Sequence, residues 1–313
     1  MKTAVLFPGQ GAQYPGMGKD FYEKYPQAKA LFNQTAAVLG QDFLEIIFNG
    51  PEDKLRQTEN TQPAILAVSS AIYRVLITNG LKPAGLAGLS LGEYSALVAA
   101  GVISFAEALP LVRKRGIFMQ EAVPAGAGGM TAIMGLSHET VTDICNAATG
   151  DTLVAPANYN CPGQIVVSGH LEAISRAVEL AREAGAKRIT SLKVSAPFHC
   201  ALLDCVGTRL AEELDSLDFK KPEIPVVFNV SAAFTGQPEQ VKENLVTQVS
   251  KPILWEQSVH ELIKAGITRF IGLGPGTSLT RLMKRIAPDL EAYSVETVAD
   301  LEKLAETGLL QKD

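Results

Sequence analysis

Ser90 stands in Gly88-Leu89-Ser90-Leu91-Gly92, between the short apolar run Leu86-Ala87 and the helix-like stretch Glu93-Tyr94-Ser95-Ala96-Leu97-Val98. A G-x-S-x-G turn between a strand and a helix lifts a serine hydroxyl clear of a sheet edge, where it can attack a carbonyl. The flanking glycines have no Cβ to obstruct a strained turn. A helix opening at Leu91 aims free N–H groups and a positive dipole end at any oxyanion formed there. Such a serine needs a base, and His199, in Ala196-Pro197-Phe198-His199-Cys200, is the candidate. Pro197-Phe198 fixes the local backbone, whereas His138, His170 and His260 lie in polar segments that read as element ends. The aspartates between Ser90 and His199, Asp143 and Asp151, fall in a segment that reads as a separate small unit, and Glu93 is tied to the nucleophile's own helix. The economical expectation is a Ser–His dyad whose second imidazole N–H goes to a backbone carbonyl.

Arg115, in Val112-Arg113-Lys114-Arg115-Gly116, is flanked by apolar residues on a predicted helix and offers a planar fork for a carboxylate, while Arg113 and Lys114 read as solvated. Pro8-Gly9-Gln10-Gly11-Ala12-Gln13 follows an apolar run as a dinucleotide loop would, but Tyr14 occupies the place of the third glycine. The backbone N–H of Gln10 is read instead as an oxyanion donor, together with that of Leu91.

The elements that must position these residues alternate. Thr3 to Phe7 reads as a buried strand ending at Pro8-Gly9, Pro63 to Asn79 as an amphipathic helix with Pro63 in its first turn, and Ser104 as the cap of a helix reaching about Ala122. A glycine-rich run, 125–129, marks a boundary. Beyond it the order is strand 130–134, helix 139–148, strands 153–157 and 165–168, helix 171–184 and strand 188–192, which is a split βαβ, ferredoxin-like pattern. Strands at 226–230, 269–273 and 292–295 then resume the first pattern. The expectation is an α/β-hydrolase-like large domain with a mainly parallel sheet over residues 1–125 and 194–313, interrupted by a ferredoxin-like small domain at 126–193.

Composition narrows the function. With 47% hydrophobic and 19% charged residues in a chain of 313, a well-packed core is expected, and a net charge of −5 argues against nucleic acid or anionic lipid as a general partner. Cys145, Cys161, Cys200 and Cys205 form no CxxC, and the four histidines have no metal-ligand spacing. Reduced thiols, no metal, no membrane span and a cytoplasmic location follow as expectations.

The motifs together resemble the malonyl-CoA:acyl carrier protein transacylases of type II fatty acid synthesis, over essentially the whole chain. The resemblance rests on Phe7-Pro8-Gly9-Gln10-Gly11, Gln62-Pro63-Ala64, the Ser90 pentapeptide with Glu93-Tyr94-Ser95, Arg115-Gly116 with Met119-Gln120, Asn160-Cys161-Pro162-Gly163-Gln164, Pro197-Phe198-His199, Gln248 with Pro252 and Trp255, and Gly274-Pro275-Gly276. It implies that malonyl-CoA acylates Ser90, that His199 is the base, that Arg115 holds the malonyl carboxylate and that the Gln10 and Leu91 amides hold the oxyanion. It also implies that the Gln248 carbonyl orients His199 and that Phe198 shapes an acyl pocket suited to malonate. Leu89 departs from the histidine common before the nucleophile, with local packing rather than chemistry expected to change. No cofactor is implied. Acyl carrier protein is the expected partner of a chain read as a monomer, docking on Lys187, Arg188 and Lys193 or on Arg281, Lys284 and Arg285. The alternatives are a serine hydrolase or thioesterase, and a non-catalytic carrier-binding protein.

Overall fold

The computed structural model describes residues 1–310 except 125 and 195. Ten strands occur among the described residues: β1 Lys2–Phe7, β2 Gly85–Gly88, β3 Gly128–Met134, β4 Val154–Cys161, β5 Gln164–His170, β6 Arg188–Ser191, β7 Val226–Val227, β8 Phe234–Thr235, β9 Ile267–Leu273 and β10 Glu291–Val295. They form a sheet of order β10-β9-β1-β2-β7-β8 and a second of order β4-β5-β3-β6. The fold is a mixed α/β one. In the large sheet every neighbouring pair is parallel except β7 with β8, and the small sheet is antiparallel throughout.

Period-2 alternation in β1 sends Val5 and Phe7 into one core and Ala4 and Leu6 into another, so the large sheet is covered on both faces. Helices Thr58–Thr78, Gly92–Ala99 and Phe105–Glu121 supply residues to the first core, and Trp255–Lys264 and Ser278–Ile286 to the second. The small sheet divides likewise. Ile133, Ile165 and Val167 pack beneath helices His138–Ala148 and Leu171–Glu183, while Met130, Ala132 and Val166 join the core of the large lobe. The lobes are stitched further by backbone bonds from Tyr159 N to Ile253 O (2.9 Å) and Ile253 N to Ala157 O (2.8 Å).

The helix expected after Ser104 runs Phe105–Glu121 behind a capping box in which Ser104 and Glu107 bond reciprocally. The helix expected from Pro63 starts earlier, at Thr58, so Pro63 lies inside it rather than in its first turn. The polar residues that look like a loop are buried there: Thr61 Oγ1 donates to Leu55 O (2.6 Å) and Asn60 Nδ2 to Lys54 O (2.9 Å). The strand expected over 226–230 stops at Val227, beyond which the backbone N–H of Phe228 goes to Ala233 O and that of Asn229 to Glu93 Oε2. The glycine-rich boundary falls partly on position 125, outside the described residues.

The nucleophile turn explains its glycines by close approach rather than by their own dihedrals. A Cβ on Gly88 would lie 1.9 Å from the Gly92 carbonyl carbon, and one on Gly92 would lie 2.2 Å from Phe7 O. The left-handed residue is Ser90 itself, at φ 53°. Gly88→Ala is therefore expected to cost about 3 kcal/mol by overpacking against backbone that cannot move independently. A lowered denaturation midpoint together with loss of Ser90 labelling by a serine-directed reagent checks this.

Candidate active site

Ser90 sits where β2 ends and the helix Gly92–Ala99 begins, and its Oγ lies 2.8 Å from His199 Nε2. On the other side of the ring, His199 Nδ1 lies 2.8 Å from the Gln248 carbonyl oxygen. A carbonyl only accepts, so Nδ1 carries the proton and the Nε2 lone pair faces the serine hydroxyl. The dyad and its carbonyl partner thus have the arrangement expected from sequence. His199 also takes a left-handed backbone, φ 61°, just where the chain passes from the small sheet back to the large lobe, and its N–H donates to Val249 O (3.2 Å). Burial, reinforced by the charge of Arg115 and opposed by the Gln248 bond, pulls the imidazole down to about 3, so the ring is neutral throughout the physiological range.

Arg115 is 1% exposed and reaches the same point. Its Nη1 donates to Gln62 Oε1 (2.8 Å), and its Nη2 donates to Gln248 Oε1 (2.8 Å) and approaches Ser90 Oγ (3.4 Å). The guanidinium carbon stands 5.4 Å from the centre of the Tyr94 ring. Gly116 makes this placement possible: a Cβ there would lie 2.6 Å from Thr58 O, so only glycine lets the Arg115 helix close onto the helix that carries Gln62. Both named partners of the guanidinium are neutral amides, and its charge is left available to an anion.

Glu93 does not neutralise it. Burial, opposed by the Asn229 N–H and by the charge of Arg115, raises this carboxyl to about 8, so it is mostly protonated at neutral pH. Its Oε2 accepts from Asn229 N (2.7 Å). Asn229 in turn holds the nucleophile turn: Oδ1 accepts from Ser90 N (2.6 Å) and Nδ2 donates to Gly88 O (2.7 Å). Gln248 Nε2 adds a bond to Ser90 O (3.1 Å). Among the described residues neither the Gln10 nor the Leu91 amide N–H has an acceptor.

These groups open into a cleft of about 810 Å³ between the lobes, lined by Gln10, Leu91, Met119, Met130 and Phe198 around the dyad. Its mouth carries Arg56, Lys193, Arg281 and Arg285. Lys187, Arg188 and Lys284, also considered from sequence, do not line it. Arg285 is partly spoken for, donating to Gln164 Oε1 (2.6 Å) and Pro162 O (2.9 Å). Leu89 packs on Gly9, whose Cβ would lie 2.5 Å from Leu89 O, and lines the cleft as an apolar wall. Among the described residues no cluster of His, Cys, Asp and Glu is arranged to hold a metal ion, and no helix is long and apolar enough to cross a membrane.

Sequence reasoning brought Ser90, His199, Arg115, Gln10, Leu91, Phe198 and the Gln248 carbonyl to one place, and the structure does the same. It missed Asn229, the side chain of Gln248 and the tie of Gln62 to Arg115. For Asn229 a signal existed: an amide interrupting the apolar run Val226-Val227-Phe228-Asn229-Val230 at a sheet's carboxyl edge.

A strand–serine–helix turn with a histidine at the serine hydroxyl, an arginine beside it and, among the described residues, two amides without acceptors in an interlobe cleft has the make-up of an acyl-transferring site. Residues 5–313 match the acyl transferase domain family. The chain is 44% identical to the malonyl CoA-acyl carrier protein transacylase of Bacillus subtilis (strain 168), over 98% of this chain and 97% of that one. It superposes on an acyl carrier protein S-malonyltransferase from Vibrio cholerae with a TM-score of 0.95 at 46% identity, covering 97% and 100% of the two chains. A malonyl-transacylase solved in complex with a type II PKS acyl-carrier protein matches with a TM-score of 0.96 at 42% identity, covering 98% and 100%. The chain belongs to the acyl transferase family and, within it, to the malonyl CoA-acyl carrier protein transacylases.

Two pH effects follow. The acid limb of kcat/KM is expected well below the ordinary histidine value of 6.5, which a pH–rate profile tests directly. Glu93 keeps its proton up to about 8 when folded but releases it near 4.5 when unfolded, so its contribution is full below 4.5 and is lost as pH rises towards 8. Glu93→Gln removes that dependence, and the stability of the native protein relative to the variant is expected to decline by a few kcal/mol across this window in denaturant titrations.

Proposed function

We propose that the protein transfers the malonyl group of malonyl-CoA to the phosphopantetheine thiol of acyl carrier protein through a malonyl-Ser90 ester. The observation that carries this reading is the buried, un-neutralised Arg115 guanidinium 3.4 Å from the Ser90 hydroxyl. A malonyl group has a carboxylate one carbon from its reacting carbonyl, so a fork at that distance holds one end while Ser90 meets the other.

His199 Nε2 takes the Ser90 proton as Oγ attacks the thioester carbonyl. The oxyanion is held by the Gln10 and Leu91 amides, the C–S bond breaks, and His199 returns the proton to the departing CoA sulfur. In the second half the carrier thiol gives its proton to His199 and attacks the ester, and Ser90 recovers that proton as it leaves. The Gln248 carbonyl holds the imidazole tautomer, and Phe198 bounds the acyl pocket. No cofactor enters. The large lobe, 1–125 and 194–313, serves as an α/β-hydrolase-like platform for the nucleophile turn and the small lobe, 126–193, as a ferredoxin-like insert. The strand order β4-β5-β3-β6 supports the second description. The acidic carrier docks on the basic mouth around Arg281 and Lys193, and the enzyme works in the cytoplasm.

Intact-mass analysis after mixing with malonyl-CoA is expected to show one malonyl adduct that persists until carrier protein is added and is absent in Ser90→Ala. Rapid loss of the adduct to water would instead make the protein a hydrolase, and no adduct at all would leave a carrier-binding protein. Arg115→Ala is expected to lower malonyl transfer by about 2–3 kcal/mol, the size of a charge-assisted bidentate contact, and to narrow the preference for malonyl-CoA over acetyl-CoA. The loss should appear in kcat as well as KM in steady-state assays.

A further inference from the structure

Ser90 occupies a backbone region that non-glycine residues avoid, and its main-chain N–H and C=O are both tied to side chains from distant parts of the chain. Gln248 holds the carbonyl side of the turn, and the groups that hold its N–H side follow the end of β7. That strand pairs with β2 through Leu86↔Val226 and Ala87↔Val227, and the ladder then ends. Two residues beyond, the Asn229 carboxamide takes the place of a peptide unit: it accepts from Ser90 N at 2.6 Å and donates to Gly88 O at 2.7 Å. Its own backbone N–H is fixed by the Glu93 carboxyl at 2.7 Å, and both residues are fully buried. The clamp therefore spans the turn and closes on the first residues of the helix behind it.

This bonding has a chemical consequence for the oxyanion. The turn presents two successive N–H groups near the reacting carbon, those of Ser90 and Leu91. The first is consumed by Asn229, while the second has no acceptor among the described residues. We propose that Asn229 is a positioning residue for acyl transfer, fixing the Ser90 turn through its side-chain amide and leaving Leu91 as the amide of this turn that receives the oxyanion. The inference rests on the malonyl-transfer reading for its assay, but not for its geometry.

Asn229→Asp separates positioning from mere presence. A protonated aspartic acid reproduces both bonds, with its O–H donating to Gly88 O and its C=O accepting from Ser90 N, whereas the ionised form turns an oxygen against the Gly88 carbonyl. The titratable groups touching this turn are Glu93, Arg115 and His199. The ratio of variant to native removes the part of their titration common to both, and what remains is the ionisation introduced at position 229 together with its coupling to them. Relative to native protein, Asn229→Asp is expected to retain kcat within about threefold at low pH and to lose about tenfold or more at high pH, with KM for malonyl-CoA nearly unchanged. Asn229→Ala is expected to lose about tenfold or more in kcat at every pH.

Melting temperatures taken in parallel must exceed the assay temperature. An Asn229→Ala protein that keeps native kcat overturns the proposal, as does a loss confined to KM, or an Asn229→Asp protein that is unfolded at low as well as high pH. Native protein and Ser90→Ala run alongside keep the readings apart: failure of native protein to form the malonyl adduct sinks the activity, whereas a normal native adduct with unaffected Asn229 variants sinks only the clamp.

Discussion

A guanidinium removed from water is costly, and the surroundings of Arg115 are arranged around that cost. Transfer of a single charge to a protein interior is disfavoured by several kcal/mol unless partners compensate it. A carboxylate would be the ordinary remedy, but here Gln62 and Gln248 supply carbonyl oxygens and Tyr94 a ring face. Neutral acceptors take a hydrogen bond from each Nη of Arg115 without cancelling its charge. Glu93, whose carboxylate would act on Arg115 if it were ionised, is buried deeply enough to keep its proton near neutral pH. The arrangement gives up stability to keep a positive charge free beside the serine.

The same constraint accounts for the missing third carboxylate. In the proposed reaction an aspartate behind His199 would sit within reach of Arg115 and compete with the substrate for it. A backbone carbonyl orients the imidazole without adding charge, and the residue that offers it also does two other things. Gln248 gives its carbonyl to His199, its side-chain oxygen to Arg115 and its side-chain N–H groups to the Ser90 carbonyl. Imidazole, guanidinium and serine turn are thereby fixed relative to one another through one residue at the end of the helix Pro238–Gln248.

What could be read from sequence was whatever leaves a steric or periodic trace nearby. Gly88 and Gly92 announce Ser90 because backbone passes within 2.2 Å of where their Cβ atoms would be, and Gly116 marks Arg115 for the same reason. Alternation of strands and helices gave the parallel sheet and the order of elements in the small lobe. The amides were harder. Gln62, Asn229 and the Gln248 side chain are residue types common on surfaces, and their partners lie 53, 139 to 141, and 133 to 158 positions away. No local pattern encodes such contacts. For the same reason the start of the Thr58 helix was obscured: its first turns are polar, and only tertiary burial makes them helix.

Arg115 and His199 are also coupled in a way that bears on selectivity. Next to burial, the guanidinium charge is what pulls the imidazole down, so the free protein holds a weakly basic imidazole beside the serine. In the proposed reaction a malonyl carboxylate pairing with Arg115 cancels that charge and thereby strengthens His199 as a base. A neutral acyl group of similar size would occupy the pocket without this effect, so recognition at one end of the substrate becomes activation at the other, and discrimination is expressed in the chemical step as well as in binding. Gln248 contacts both the imidazole and the guanidinium, and so preserves the distance on which this coupling depends.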